Sequence, residues 1–136
     1  MTAAAPDGRP GPASGVLGVL LCDDNPMILE TLGEVVRAQP DMRVVGTARS
    51  GERAVDLARL HRPDVVVLDV RFPGGGPTVA AAVARCSPTS RVVAFSAYDD
   101  KGSVEQMLGV GVCAYVLKGA GNRELLAAVR GTAQAL

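Results

Sequence analysis

The chain has little of several features that would assign a protein to a particular class. Its 136 residues contain three cysteines, which lie far apart and lack the paired spacing of a metal site or a disulfide framework. The formal net charge is +0 and the basic residues form no run, so charge does not favour nucleic acid or an anionic membrane as a partner. The single histidine, His61, has no nucleophile or metal ligand beside it and is predicted to be a solvated residue at a helix end, without a catalytic role.

Long apolar segments are also missing. No apolar run reaches the roughly 18 residues that a membrane-spanning helix requires. The N-terminus has no charged segment followed by an apolar one, so no signal peptide is predicted. Together with the odd number of cysteines, these absences favour a reduced, cytoplasmic protein without a membrane partner.

The length and the composition predict one domain preceded by a leader. A chain of 136 residues is long enough to bury a proper core. Residues 1–14 are mostly Ala, Pro and Gly, have little to bury, and are predicted to be disordered. Residues 15–136 are therefore predicted to form the folded domain.

Apolar runs alternate with helical patterns along the rest of the chain. Five runs are predicted to be strands, at residues 16–22, 42–48, 65–69, 91–95 and 113–117. Helices are predicted between and after them, with apolar positions at Ile28, Leu32, Val35 and Val36, at Ala54, Leu57, Ala58 and Leu60, within residues 78–85 and 104–108, and at Leu125, Leu126 and Val129. Cys22 and Cys113 are predicted to be small core residues of strands. This alternation predicts an α/β fold with a parallel sheet and helices on both faces.

The polar residues that follow the predicted strands form the candidate site. Four strands end in polar residues, at Asp23 and Asp24, at Asp69, at Ser96 and at Lys118. Because the carboxyl ends of parallel strands lie on one edge of a sheet, these side chains are expected to converge. Three crowded carboxylates repel one another unless a cation is present, and their oxygens suit Mg²⁺. A carboxylate beside Mg²⁺ can attack phosphorus, while a lysine and a hydroxyl can stabilise the phosphoryl oxygens.

Four segments carry a resemblance to a known family: LLCDDNP, VVVLDVRFPGGGP, VVAFSAYDD and AYVLKGA. Over about residues 16–133 the chain resembles the receiver domain of a two-component response regulator. The SAYDD and YVLKGA segments are most similar to the subfamily in which the receiver precedes a LuxR/NarL-type helix-turn-helix domain. The resemblance implies a flavodoxin-like (βα)5 three-layer sandwich whose central five-stranded parallel sheet has the order 2-1-3-4-5.

The resemblance also implies the chemistry of the site. Asp69 would accept a phosphoryl group from a sensor histidine kinase. Mg²⁺ would be held by Asp23, Asp24, Asp69 and the backbone carbonyl of Arg71. The chain would not be an enzyme in the ordinary sense, because it would catalyse only phosphoryl transfer to its own Asp69 and the later loss of that group.

The resemblance further implies a conformational switch. Lys118 and Ser96 would contact the phosphoryl group, and Ser96 and Tyr115 would be the switch residues. The output would be transcription regulation through a DNA-binding domain that is absent from this chain. A homodimer formed on phosphorylation is a further partner that the resemblance allows.

Two segments depart from the pattern of the family. Many relatives have Met where Phe72 stands, and a Gly-x-Asp/Asn-Gly pattern where this chain has Gly-Gly-Gly-Pro at residues 74–77. The loop after Asp69 is therefore expected to be unusually mobile and the third helix to start differently. Lys118 is followed by Gly119 and not by proline, so a cis peptide cannot be assumed there and the conformation of this peptide stays open.

Simpler interpretations of single residues remain open. Asp23 and Asp24 could be helix caps favoured by the helix dipole. Ser96 could be a turn hydroxyl, and Tyr115 could be an ordinary strand aromatic. The glycines at residues 74–76 lack the spacing of a phosphate-binding P-loop.

Rival functions also remain open. Phosphatases that use an aspartyl-phosphate typically carry two aspartates one residue apart after their first strand, whereas here the two are adjacent and the candidate nucleophile follows the third strand. A flavin or nucleotide binder would need a glycine-containing first turn, but the turn at residues 23–26 is acidic and lacks glycine. A single-domain or phosphorylation-independent receiver that acts only through protein contacts is a third alternative.

Overall fold

The computed structural model describes residues 15–134, and the predicted leader, residues 1–14, lies outside them. The elements are β1 (Leu17–Cys22), α1 (Pro26–Arg37), β2 (Met42–Ala48), α2 (Gly51–His61), β3 (Val65–Leu68), α3 (Gly76–Cys86), β4 (Arg91–Ser96), α4 (Lys101–Gly109), β5 (Ala114–Leu117) and α5 (Asn122–Gln134), with a short 3-10 turn at Lys118–Ala120 before α5. Within the described part of the chain, no helix is both long enough and apolar enough to cross a membrane.

The five strands form one sheet, and every neighbouring pair is parallel. The order is β2-β1-β3-β4-β5, as the family resemblance implied. β3 is buried along its whole length, as expected of a central strand with helices on both faces. β2 lies at one edge of the sheet, and its Arg43 and Thr47 are exposed, as suits a partly polar edge strand.

Alternating side chains of the strands build two separate cores. In β3, Val66 and Leu68 belong to the core shared with α2, α3 and α4, while Val65 and Val67 belong to the core shared with α1 and α5. Successive side chains of a strand point to opposite faces, so an all-apolar strand fills both cores at once. The sheet with α1 and α5 on one face and the other three helices on the opposite face is a three-layer α/β sandwich.

Short polar side chains start three of the helices. Asn25 Oδ1 accepts a hydrogen bond from Met27 N at 2.9 Å, directly before Pro26 at the first turn of α1. Ser50 Oγ accepts one from Arg53 N at 3.3 Å at the start of α2. Asp100 caps α4 by accepting from Ser103 N at 3.0 Å. These caps decide where the chain leaves each loop that surrounds the candidate site.

Three sequence-based predictions about single elements are wrong. α4 starts at Lys101 and not near residue 104, because Asp100 caps it. Cys113 is exposed and precedes β5, whereas Cys22 is buried in β1 as predicted. Leu60 is 74% exposed and does not join the apolar face of α2.

The glycines at residues 74–76 have distinct structural roles. Gly74 and Gly75 have φ angles of 100° and 85°, a region that favours glycine. Gly76 N donates a hydrogen bond to Val70 O at 3.1 Å, and a Cβ at Gly76 would lie 2.3 Å from that oxygen. α3 therefore begins at Gly76, against the backbone that follows β3.

Replacing Gly76 by Ala is expected to lower the free energy of unfolding by about 1–3 kcal/mol, because the methyl group forces the start of α3 away from Val70. Gly131→Ala in α5 is the matched control, since among residues 15–134 no atom beyond its chain neighbours and the nearby helix backbone lies within 4 Å of its added Cβ. It should be neutral or stabilising by about 0.5–1 kcal/mol. Urea denaturation measures both, and a Gly76→Ala variant as stable as wild type would contradict this account.

Candidate functional site

The carboxyl edge of the sheet holds the predicted residues. Asp23 and Asp69 directly follow β1 and β3, Ser96 is the last residue of β4, and Lys118 directly follows β5. Asp69 N donates to Cys22 O at 3.0 Å, which continues the sheet hydrogen bonding one residue past β3. Asp23 N likewise donates to Ala48 O of β2 at 3.1 Å, so the sheet holds the backbone of both aspartates.

Three carboxylates meet at this edge. Asp23, Asp24 and Asp69 each offer an oxygen atom, and these oxygens lie within 4.8 Å of one another. Asp23 and Asp69 are 2% and 7% exposed, whereas Asp24 faces solvent. Asp23 Oδ1 also accepts a hydrogen bond from Asn25 N at 3.0 Å. Because Asn25 is the cap of α1, the alternative that the acidic pair merely caps this helix is wrong.

Lys118 contributes the ammonium group that faces this cluster. Its Nζ lies 2.7 Å from Asp23 Oδ2 and 3.7 Å from Asp69 Oδ2, and its side chain is 19% exposed. The peptide bond to Gly119, whose conformation the sequence left open, is trans. One ammonium group thus faces three carboxylates, which leaves the cluster with an excess of negative charge.

The electrostatics of Asp69 reflect this excess. Burial raises the pKa of its carboxyl group above the ordinary value, Lys118 opposes that rise, and Asp23 adds to it. Three hard oxygen donors with uncompensated negative charge fit a divalent cation such as Mg²⁺. The carbonyl of Arg71, the further ligand implied by the family resemblance, stays a prediction.

The two predicted switch residues are linked through one loop residue. Ser96 is 0% exposed, and its Oγ accepts a hydrogen bond from Tyr98 N at 3.0 Å. The hydroxyl of Tyr115, half-buried on β5, donates to the carbonyl oxygen of Tyr98. In this conformation the Ser96 hydroxyl accepts a hydrogen bond within a turn, as in the simpler interpretation of Ser96 given above. Tyr98 contacts both Ser96 of β4 and Tyr115 of β5.

The sequence does not predict the contact between the side chains of Tyr98 and Arg71. The guanidinium carbon of Arg71 lies 3.9 Å from the centroid of the Tyr98 ring. Arg71 follows β3 and Tyr98 follows β4, so the contact depends on the paths of two loops. No local pattern in the sequence signals it.

The chain is similar to known proteins along most of its length. The family model for the response regulator receiver domain matches residues 19–130. The probable transcriptional regulatory protein NarL of Mycobacterium tuberculosis is 37% identical over 112 residues, which are 82% of this chain and 52% of that protein. The response regulator GacA of Pseudomonas syringae is 33% identical over 116 residues, which are 85% of this chain and 54% of that protein. The chain thus spans about half the length of these curated relatives.

Solved structures show the same similarity. The signal receiver domain of the putative response regulator NarL from Mycobacterium tuberculosis superposes with a TM-score of 0.84 at 34% identity, covering 89% of this chain and 98% of that one. The response regulator domain of Thermotoga maritima CheB superposes with a TM-score of 0.81 at 27% identity, covering 89% of this chain and 98% of that one.

Replacing Lys118 by Met should destabilise the domain at pH 7, because it leaves buried carboxylates without their cation. The loss in free energy of unfolding should be on the order of 2–3 kcal/mol, below the roughly 3–5 kcal/mol of a fully buried pair. Lys118 holds the pKa of Asp69 down, so its loss raises that pKa, and the difference in stability between the variant and wild type should narrow as the pH falls towards about 4.

Lys101→Met is the matched control, since Lys101 pairs with Glu105 at 3.8 Å on an exposed helix face. It should change stability little, because exposed ion pairs contribute little. Urea denaturation in metal-free buffer measures both variants, and equal losses would contradict the claim that the cluster depends on Lys118.

Proposed function

The chain belongs to the response regulator receiver domain family, and we propose that it is a phosphorylation-controlled switch whose phosphoacceptor is Asp69. The observation that carries the proposal is the cluster of three carboxylates with Lys118 between Asp23 and Asp69. This arrangement supports phosphoryl transfer from a sensor histidine kinase to a carboxylate.

The contacts of the two buried aspartates support Asp69 as the nucleophile. Asp23 engages both oxygens, one with Lys118 at 2.7 Å and one with Asn25 N at 3.0 Å. The corresponding distances at Asp69 are 3.7 Å to Lys118 and 3.4 Å to Arg71 N. The oxygens of Asp69 therefore have longer polar contacts than those of Asp23, which leaves their lone pairs available for attack on phosphorus.

The proposed reaction consumes the carboxylate of the chain itself. An Asp69 oxygen attacks phosphorus, the new O–P bond forms, and the P–N bond of the phosphohistidine breaks. The imidazole nitrogen leaves with the electron pair and regains a proton. Lys118 Nζ is placed to neutralise a phosphoryl oxygen. Because Asp69 is modified, the chain turns over only when water removes the phosphoryl group, so we do not propose a separate enzymatic activity.

The cofactor is proposed to be Mg²⁺. Asp23, Asp24, Asp69 and the carbonyl of Arg71 are the groups that would hold it. When bound, Mg²⁺ would supply positive charge to the phosphoryl oxygens. The excess negative charge of the cluster supports this assignment, because Lys118 alone does not balance it.

The proposed output is transcription regulation. The relatives include proteins named as transcriptional regulators, and this chain spans about half of their length. By that likeness, the phosphorylated receiver would act through a DNA-binding domain that these residues do not include, or through a second copy of the receiver. Phosphoryl transfer from a histidine kinase would place the protein in the cytoplasm.

Acetyl phosphate with Mg²⁺ is expected to add one phosphoryl group to the wild-type chain and none to Asp69→Asn, because Asp69 is buried and its oxygens are weakly engaged. Mass spectrometry of the intact protein measures the product. Asp56→Asn, at an exposed aspartate of α2, is the control and should be labelled normally. The assignment fails if Asp69→Asn is labelled to the wild-type level, or if chelation of Mg²⁺ leaves labelling unchanged.

We further propose that Ser96 moves to bond the phosphoryl group and that α4 responds. A hydrogen bond to a charged oxygen is worth roughly 1.5–3 kcal/mol, enough to shift a two-state element about tenfold or more. α4 contains Gly102 and Gly109, and glycine weakens a helix by about 1 kcal/mol relative to alanine. This helix and the loop before it are therefore expected to be the most easily displaced part of the domain.

Hydrogen exchange with and without beryllofluoride and Mg²⁺ tests this switch. Protection in residues 97–111 should change on binding in wild type and should change much less in Ser96→Ala. Residues 28–36 of α1, a helix on the opposite face of the sheet, provide the internal reference. No response in residues 97–111, or an equal response in Ser96→Ala, would exclude Ser96 as the switch hydroxyl.

A further inference from the structure

Tyr98 is held by three different neighbours although it lies in an exposed loop. Its N–H donates to Ser96 Oγ at 3.0 Å, its carbonyl accepts from the Tyr115 hydroxyl, and its ring lies 3.9 Å from the guanidinium carbon of Arg71. The side chain is still 45% exposed. A loop residue that joins β4, β5 and the segment after β3 is positioned to couple these three parts of the site.

Arg71 connects this loop residue to the candidate phosphoacceptor. Its N–H donates to Asp69 Oδ1 at 3.4 Å, while its guanidinium lies over the Tyr98 ring. The pKa of Asp100, which caps α4, is lowered first by hydrogen bonds from Ser103 and to a smaller degree by the charge of Arg71. The Arg71 side chain therefore crosses from the β3–α3 loop to the β4–α4 loop.

We propose that the Arg71–Tyr98 stack is a latch that holds the β4–α4 loop in the resting conformation and opposes switching. This inference rests on the proposed function and adds a positioning role for the side chain of Arg71, distinct from the metal ligand role of its carbonyl. While the latch is closed, Tyr98 keeps its contacts with Ser96 and Tyr115. Movement of Ser96 towards a phosphoryl group shifts Tyr98 and opens the stack.

The Arg71–Tyr98 stack is weak enough to be opened by a hydrogen bond from Ser96 to a phosphoryl group. An exposed cation–π contact of this type changes an equilibrium by about two- to fivefold. A charge-assisted hydrogen bond from Ser96 to a phosphoryl oxygen is the stronger interaction and can outweigh it. A ligand that binds the switched conformation gains apparent affinity when the resting conformation loses its latch. Removing either partner should therefore ease switching rather than block it.

The test is the affinity of the chain for beryllofluoride in saturating Mg²⁺, measured by amide NMR titration. Arg71→Met and Tyr98→Leu should each lower the apparent Kd about two- to fivefold. The double variant should equal either single variant, because the two changes remove the same contact. Tyr98→Phe keeps the ring and both backbone contacts, so it should match wild type. Arg85→Met, at an exposed arginine in the last turn of α3, is the control for loss of charge.

A second measurement needs no ligand and separates the latch from the proposed function. In ligand-free protein, exchange of the Tyr98 amide hydrogen, which bonds Ser96, should be faster in Arg71→Met and unchanged in Tyr98→Phe. An unchanged or weaker affinity in Arg71→Met, or additive effects in the double variant, would overturn the latch. If wild type does not bind beryllofluoride, the proposed function fails, and the Tyr98 exchange alone decides whether the latch exists.

Discussion

Mutual repulsion of three carboxylates is the constraint on which the carboxyl edge of the sheet depends. Asp23 and Asp69 are almost fully buried, Asp24 joins them from solvent, and Lys118 supplies one positive charge. Such a cluster lowers stability unless a cation balances it. The sheet can keep these carboxylates close together because its backbone hydrogen bonds hold Asp23 and Asp69 in place whether or not their side chains are charged. The domain thus gives up stability at the edge where the proposed cation and phosphoryl group would bind.

The sheet that imposes this cluster follows from simple sequence patterns. The run VVVL of β3 fills both cores, and each apolar strand leads directly to a polar residue. Parallel strands bring those residues to one edge, so the positions of Asp23, Asp69 and Lys118 were predictable without a structure. Asp69, Ser96 and Tyr115 were assigned their roles by resemblance, and those roles stay predictions.

Other features depend on loop paths and were not predictable in this way. The stack of Arg71 on Tyr98 joins two loops, and no periodicity records their approach. The helical pattern alone predicts too late a start for α4, because its glycines weaken that pattern, although the Asp-x-x-Ser spacing of the cap is present in the sequence. Cys113 was assigned to β5 because it adjoins an apolar run, but the strand starts one residue later. Element boundaries and loop contacts were thus the weak part of the sequence-based prediction.

The distribution of strong and weak contacts indicates where a change at Asp69 is transmitted. At the opposite edge of the sheet, Arg130 of α5 binds Asp41 through two hydrogen bonds at 2.7 and 2.9 Å and also donates to Gln39 at 2.8 Å. Bidentate, charge-assisted contacts of this kind fix α5 to the segment between α1 and β2. On the side of α4, by contrast, the loop is held through single hydrogen bonds and one ring contact at Tyr98. If Ser96 moves as proposed, the displacement would meet less resistance towards α4 than towards α5, which the Arg130 contacts hold in place.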